Sequence, residues 1–327
     1  MDKKSYWVGF DLGGTKMMAT VFDGTFKKVA FARRKTKGNL GMKSGMERII
    51  KTIDDALEQA QLSRKQISGI GVGCPGPLNI DKGIILEAPN LGWSNVPLKS
   101  TLKREFKCPV AIANDVDAGT YGEYCFGAAK KARCVLGVFP GTGLGGACIY
   151  EGKIFRGKVG SCMEIGHMPV DARGPVSGPG RSGSLESMTS RLAISAQAAQ
   201  AVYRGQAPAL QNMVGTNLAD IKSGALATAI AQGDTIIEEI IRHSVRIMGT
   251  TVAGVVNLLA PDVLVMGGGL VEALGDIYLD EMRKAIDAEA LPAYAASLKI
   301  CAAKLGDDAG CMGAAALGRD AALASAG

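Results

Sequence analysis

The sequence predicts an α/β protein with two related lobes around a central cleft. Its 327 residues exceed the length of a typical single domain. A strand, a glycine-rich turn and a second strand are predicted at 6–22 and again at 134–150. Helical patterns follow each of these units, and a unit used twice indicates two similar halves. We place the first lobe at 1–115 and the second lobe at 116–310.

The first lobe opens with apolar segments that are separated by turns. These segments predict three antiparallel strands, at 6–11, 17–22 and 29–34. The segment 44–60 then has apolar residues at helical spacing, with Ser44 as its N-cap. A further strand is predicted at 67–73, so a helix separates this strand from the first three.

The second lobe opens in a similar way and is richer in helix. Strands are predicted at 134–140, 147–150 and 263–266, and the segment 153–155 could form another. Helices are predicted at 185–204, 218–232 and 234–259. A last helix, within 307–327, could pack on either lobe.

Composition argues against several classes of protein. Hydrophobic residues make up 47% of the chain, and the net charge of +6 is modest for this length. The basic runs are short and resemble solvated turns, so no nucleic acid partner is expected. No signal peptide is visible, and Pro261 interrupts the most apolar stretch, so no membrane span is expected. The eight cysteines form no CxxC pair, which is typical of reduced thiols in the cytoplasm.

Glycine-rich segments occur at 11–16, 71–76, 141–146 and 267–269. Two of them fit the GxGxxG fingerprint of dinucleotide-binding folds. That fingerprint requires a helix directly after it, so that the helix N-terminus meets the pyrophosphate. Prolines surround the first segment and a predicted strand follows the second, so we reject a dinucleotide-binding fold.

A hairpin turn rich in glycine and threonine can still bind phosphate through backbone N–H groups and a hydroxyl. One such turn alone is more simply an ordinary hairpin, but two turns and a third glycine cluster favour an ATP site. Asp11 stands at a strand end, where it could hold Mg²⁺ through water. The predicted phosphate-binding residues are Asp11, Gly13, Gly14, Thr15, Lys16, Gly141, Thr142, Gly143, Gly268 and Gly269.

Ordered matches along nearly the whole chain resemble the ROK family, which joins bacterial repressors, open reading frames and sugar kinases. The matching segments are DLGGTK at 11–16, GCPGP at 73–77, APNLGW at 88–93, ANDV at 113–116, GTGLGG at 141–146, EIGH at 164–167 and GSLE at 183–186. The resemblance implies an actin-like ATPase (RNase H-like) fold, in which ATP and a sugar meet between two lobes.

The resemblance also implies residue roles. Asp115 would be the general base for a sugar hydroxyl, which is sensible for a carboxylate within hydrogen-bond reach. Taken alone, residues 114–115 could be a turn or a helix cap, His167 could be structural, and Glu186 could be a first-turn charge. The implied sugar-binding residues are Asn90, Asn114, Glu164, His167 and Glu186.

One departure from the family pattern concerns zinc. Many members hold a structural zinc with the histidine of the ExGH segment and three cysteines, but the corresponding positions here are Ser177, Pro179 and Ser184. Serine and proline cannot replace thiolate ligands, so no zinc is predicted. Proline stiffness and packing, or binding of the sugar, would have to order the loop 174–183.

The expected function is ATP- and Mg²⁺-dependent phosphorylation of a hexose at its 6-hydroxyl by a homodimer or homotetramer. Glucose is the leading substrate, while fructose, mannose, allose and N-acetylmannosamine stay open. A sugar-responsive DNA-binding regulator is disfavoured because only ten residues precede Asp11. A catalytically silent sugar-binding protein is disfavoured because Asp11, Asp115, Glu164 and Glu186 are all retained.

Overall fold

A computed structural model describes residues 5–158, 160–178 and 180–326 of the chain. It contains two compact units. Unit 1 comprises the described parts of Met1–Lys131, Cys148–Cys162 and Asp307–Gly327, and unit 2 comprises those of Ala132–Ala147 and Met163–Gly306. Each unit has its own apolar core, as expected of a domain.

The strands and helices are numbered in chain order. The strands are β1 (Tyr6–Leu12), β2 (Lys16–Phe22), β3 (Lys28–Lys35), β4 (Ile67–Cys74), β5 (Leu78–Asn79), β6 (Ile84–Ala88), β7 (Trp93–Val96), β8 (Val110–Asn114), β9 (Cys134–Pro140), β10 (Leu144–Tyr150), β11 (Lys153–Ile154), β12 (Arg156–Gly157), β13 (Gly160–Ser161), β14 (Val176–Gly178), β15 (Arg181–Ser182), β16 (Val263–Met266) and β17 (Lys299–Ala302). The helices are α1 (Gly41–Gln59), α2 (Leu98–Phe106), α3 (Asp115–Cys125), α4 (Leu185–Thr189), α5 (Arg191–Tyr203), α6 (Pro208–Val214), α7 (Ser223–Ala231), α8 (Thr235–Leu259), α9 (Gly269–Glu289), α10 (Pro292–Ser297) and α11 (Ala309–Ala326).

Unit 1 is built on a five-stranded sheet with the order β3-β2-β1-β4-β8. The first three strands are antiparallel, as predicted, and β4 and β8 continue the sheet in parallel with β1. The prediction that Ser44 caps the first helix is wrong. A short 3-10 turn at Gly38–Leu40 leads directly into α1, so the helix begins at Gly41 and Ser44 lies inside its first turns.

The last helix, α11, packs on the sheet of unit 1 and on α3. Glycines allow this close approach, because a Cβ on Gly71 would lie 1.6 Å from the carbonyl oxygen of Ala314, and a Cβ on Gly313 would lie 1.7 Å from that of Ala118. The resulting unit 1 runs past the expected limit at residue 115, because α3 belongs to it. It also includes Cys148–Cys162, which we had placed in the second lobe.

The second five-stranded sheet has the order β11-β10-β9-β16-β17. As in the sheet of unit 1, the first strand along the chain is central, the second and third lie on one side of it, and the last two lie on the other. In it, β16 pairs in parallel with β9 and with β17. The expected repeat of a strand–turn–strand unit is therefore present in the topology. Neither GxGxxG segment is followed directly by a helix, which confirms that the dinucleotide-binding fold was rightly rejected.

The helices of unit 2 differ in part from the predicted ones. The segment 185–204 forms two helices, α4 and α5, and the side chain of Ser190 caps the second by accepting a hydrogen bond from the Ala193 N–H. The helix predicted at 218–232 begins only at Ser223, and α6 and α9 were not predicted. The helix at 234–259 and the strand at 263–266 were predicted within one residue.

Among the described residues, no helix is long and apolar enough to cross a membrane. Five of the eight cysteines are buried and three are partly exposed.

Candidate active site

The predicted site residues fall into two sets, one in each unit. In unit 1, β1, β4 and β8 run in parallel, so their carboxyl ends share one edge of the sheet. Asp11 pairs with Gly73 in this register, and Cys74 pairs with Asn114. A Cβ on Gly73 would lie 3.5 Å from the Cα of Asp115, so the start of α3 lies against this edge. The sheet therefore brings Asp11, Asn114 and Asp115 together.

Asn114 is the N-cap of α3, which was one of the two roles considered from the sequence. Its side-chain oxygen accepts hydrogen bonds from the N–H groups of Val116 at 2.9 Å and Asp117 at 3.4 Å. The cap uses the oxygen of the amide, and the NH₂ group is the part that can donate to a ligand. Asp115 follows as the first residue of the helix, so capping fixes where its carboxylate stands.

The two carboxylates at this edge have raised pKa values. Burial raises the pKa of Asp115, and the Val116 N–H partly offsets that effect. The pKa of Asp11 is raised to about 6, first by burial and then by the negative charge of Asp115, while Lys16 lowers it. Both shifts mean that burial disfavours the ionised form of the two carboxylates.

The residues at this edge fit a magnesium ion. Mg²⁺ prefers oxygen ligands and is usually held by one or two carboxylates together with water and substrate phosphates. Asp11 supplies such an oxygen, and a divalent cation would oppose both the burial and the negative charge of Asp115 that raise its pKa. Within the described ranges, no cluster of three or more His, Cys, Asp or Glu side chains could hold a metal by itself.

The turn between β1 and β2 is fixed by Thr36. The Thr36 hydroxyl donates to the carbonyl oxygen of Gly13 at 2.6 Å, and the Thr36 N–H donates to that of Thr15 at 2.8 Å. Gly14 and Thr15 are exposed at the tip. Thr36 was not predicted, and no local pattern in the sequence marks it.

Lys16 and Asn90 lie beside the same turn. Lys16 Nζ is 3.7 Å from the carboxylate of Asp307, and both side chains are more than half exposed, so this ion pair is weak and leaves the lysine accessible to a ligand. Asn90 is exposed in the 3-10 turn Pro89–Leu91, and its Cβ lies 3.6 Å from the position that a Cβ on Gly14 would take. Asn90 therefore adjoins the predicted phosphate turn.

In unit 2, Glu186 holds the turn between β9 and β10. Its Oε2 accepts a hydrogen bond from the Leu144 N–H at 2.8 Å. A Cβ on Gly143 would lie only 2.3 Å from that oxygen, so a larger residue here would displace the carboxylate. The Gly141 N–H closes the turn by donating to the Gly143 carbonyl oxygen at 2.9 Å. Glu186 is thus a structural partner of the turn as well as a predicted sugar ligand.

Glu164 precedes the 3-10 turn Ile165–His167 and His167 ends it, and both residues are exposed. Gly166 lies between them and is buried. A Cβ on Gly166 would lie 3.3 Å from the Cβ of Glu186, so the turn packs directly on Glu186. Unit 2 therefore brings together Glu164, His167 and Glu186, the two glutamates and the histidine that we had predicted for sugar binding.

The loop without zinc-binding cysteines is held by backbone hydrogen bonds. The Gly183 carbonyl oxygen accepts from the N–H groups of Val170 at 2.8 Å and Asp171 at 3.2 Å, and the Gly183 N–H donates to the Pro175 oxygen at 2.7 Å. Ser177 lies in β14, Ser184 caps α4, and Pro179 lies outside the described residues. These bonds hold the loop at Gly183, and a contribution from proline stiffness or from the bound sugar stays a prediction.

Gly268 and Gly269 stand where β16 leads into α9, a helix of 21 residues. Gly268 has a φ of +86°, and a Cβ on it would lie 2.8 Å from the carbonyl oxygen of Pro140. The helix N-terminus therefore lies beside the end of β9. Its unpaired N–H groups are suited to an anion, which fits the predicted phosphate-binding role.

Comparison with known proteins identifies the family. The chain matches the model of the ROK family over residues 7–321. A glucokinase from Halalkalibacterium halodurans is 31% identical over 314 residues, which are 94% of this chain and 93% of that protein. A xylose repressor from Caldicellulosiruptor bescii is 30% identical over 283 residues, which are 85% of this chain and 70% of that protein.

A solved structure gives the same result. The ROK family glucokinase from Streptomyces griseus, in complex with glucose and AMPPNP, superposes with a TM-score of 0.84 at 29% identity and covers 96% of this chain and 99% of that one. The fold is therefore the actin-like ATPase fold that the resemblance implied, and the chain belongs to the ROK family.

Proposed function

We propose that this protein is an ATP-dependent hexokinase that phosphorylates glucose at its 6-hydroxyl. The observation that carries the proposal is the desolvated carboxylate of Asp115, held at a sheet edge that it shares with Asp11. A repressor has no chemical need for two carboxylates of raised pKa at one edge. The glucokinases from H. halodurans and S. griseus support glucose as the sugar.

In the proposed reaction, Asp115 accepts the proton of the 6-hydroxyl while the hydroxyl oxygen forms a bond to the γ-phosphorus of ATP. The bond from the γ-phosphorus to the β–γ bridging oxygen breaks, and its electron pair leaves with ADP. Burial raises the pKa of Asp115, which makes its carboxylate a stronger base than an exposed aspartate. Asp11 would hold Mg²⁺, which supplies neutralisation of phosphate charge when bound.

The sugar would be recognised by hydrogen bonds from the predicted sugar-binding residues. Glu186 already accepts from the Leu144 N–H with Oε2, and its other oxygen can accept from a ring hydroxyl. Glu164 and His167 present exposed polar groups beside it. Asn114 can donate through its NH₂ group, with Asn90 as a further contact. Such a site discriminates between epimers because the wrong sugar leaves polar groups unpaired.

The test is ADP release from ATP and Mg²⁺ over a panel of hexoses and N-acetylhexosamines, with the phosphorylated carbon located by NMR. We expect one sugar to drive turnover and Asp115→Asn to lose at least about 100-fold in kcat, the usual contribution of a general base. Asp276→Asn, on the exposed side of α9, is the matched control. The proposal is wrong if a folded protein that binds ATP releases no ADP with any sugar. Sugar binding without ADP release would indicate a silent sugar-binding protein.

A further inference from the structure

Arg191, the first residue of α5, lies against the turn between β9 and β10. Its backbone N–H donates to the carbonyl oxygen of Gly141 at 2.9 Å. Its guanidinium NH2 donates to the hydroxyl oxygen of Thr142 at 3.0 Å. The sequence analysis had assigned Gly141 and Thr142 to phosphate binding, but it had given no role to the arginine beside them.

The guanidinium of Arg191 has further N–H donors at this position. Arginine carries five N–H donors, and the Thr142 hydroxyl takes one of them. In the part of the chain that the structure describes, no carboxylate lies within ion-pair distance of Arg191. The group is only partly buried, so its positive charge and its remaining donors are accessible to a ligand.

The bond to Arg191 also directs the Thr142 hydroxyl. A threonine hydroxyl has one donor and two acceptor sites. Because its oxygen accepts from Arg191, its hydrogen points away from the guanidinium and can donate to a further acceptor. The surroundings of Gly141 are open, since a Cβ there would meet no atom within 4 Å. An anion at this turn would therefore meet a hydroxyl donor and a guanidinium together.

We infer that Arg191 binds the terminal phosphate of the nucleotide at the Gly141–Gly143 turn, with Thr142 as its partner. The inference rests on the proposed kinase function and adds a residue to it. A guanidinium pairs with phosphate oxygens in a two-pronged geometry that lysine cannot reproduce. In phosphoryl transfer, such a charge stabilises the negative charge that develops on the transferred group.

The test compares binding of AMPPNP and AMP, each with Mg²⁺, by calorimetry. We expect Arg191→Ala to weaken AMPPNP about 10- to 100-fold, the usual range for hydrogen bonds to charged groups, and to change AMP less than about twofold because AMP lacks the terminal phosphates. Arg191→Lys keeps the charge without the fork and is expected to fall between. Arg204→Ala, just beyond the other end of α5, is the matched control and is expected to bind both nucleotides normally.

A purely structural role for Arg191 predicts different results. If Arg191 only holds Thr142, then Thr142→Val and Arg191→Ala will weaken AMPPNP equally, and the double variant will be no weaker. That result would overturn the inference. So would an equal loss of AMP and AMPPNP binding in Arg191→Ala, or AMPPNP binding that this variant leaves unchanged. A wild-type protein that fails to bind AMPPNP or to phosphorylate any sugar would instead refute the proposed function.

Discussion

Replacing Gly143 by alanine would test whether the turn between β9 and β10 sets the position of Glu186. The new Cβ would lie 2.3 Å from Oε2 of Glu186, whereas ordinary contacts begin at 3.4 Å, so the carboxylate must withdraw by about 1 Å. Its hydrogen bond to the Leu144 N–H, now 2.8 Å, would then exceed bonding distance. Hydrogen bonds to charged groups contribute about 1.5–3 kcal/mol, which corresponds to about 10- to 150-fold in kcat/KM if the loss appears in sugar recognition.

The assay is steady-state kinetics with the best sugar, together with thermal unfolding. We expect the kcat/KM for the sugar to fall within that range and the protein to remain folded, because only the end of one flexible side chain has to move. Gly254→Ala is the matched control, since a Cβ there meets no atom within 4 Å and alanine favours the helix. A Gly143→Ala protein with kcat/KM within twofold of wild type would refute the idea that this turn positions Glu186.

Two further predictions concern stability. Gly71→Ala would place a Cβ 1.6 Å from the carbonyl oxygen of Ala314, a backbone atom that cannot move aside as a side chain can. We therefore expect a loss of at least about 3 kcal/mol in the free energy of unfolding, or no folded protein. Urea unfolding measures this loss, and a value below about 1 kcal/mol would contradict the prediction. Asp234 is buried and accepts hydrogen bonds from the N–H groups of Ala209 at 3.1 Å and Leu210 at 2.8 Å, at the start of α6. Asp234→Ala should therefore lower the free energy of unfolding by about 1–3 kcal/mol. Asp234→Asn keeps an acceptor and should lower it less, and equal losses in the two variants would argue against capping.

The strands were predictable from the sequence because their signals are local. Apolar runs bounded by glycine turns placed β1, β2 and β4 within one or two residues. The helices of unit 2 were harder, since α5 is rich in alanine and carries little contrast between its faces. Its separation from α4 depends on the Ser190 cap and on the bond from the Arg191 N–H to Gly141, a tertiary contact that no local pattern shows.

The candidate site follows the same division. Asp11, Asn114 and Glu186 could be proposed from the sequence because each belongs to a recognisable segment, and their roles stay predictions. Thr36 and Arg191 were not found, because they reach their turns from 23 and 49 residues away. A threonine or an arginine is common on protein surfaces, so only the fold reveals that these two lie beside glycine turns. Long-range anchors of this kind carry no signal in a single sequence.

The two glycine turns also show why the repeat is clear in topology and weak in sequence. Both follow the first strand of a sheet with the same strand order. The turn of unit 1 is held by the hydroxyl and N–H of Thr36, at the end of the third strand. The turn of unit 2 is held by Glu186 and Arg191, from helices. Both turns need a tight backbone with accessible N–H groups, and this geometry restricts the residue type only at the glycines. The anchors are free to differ, so one turn carries a neutral hydroxyl and the other a carboxylate and a guanidinium. The guanidinium of Arg191 lies beside the open backbone of the second turn, and we therefore expect unit 2 to supply a contact to the terminal phosphate.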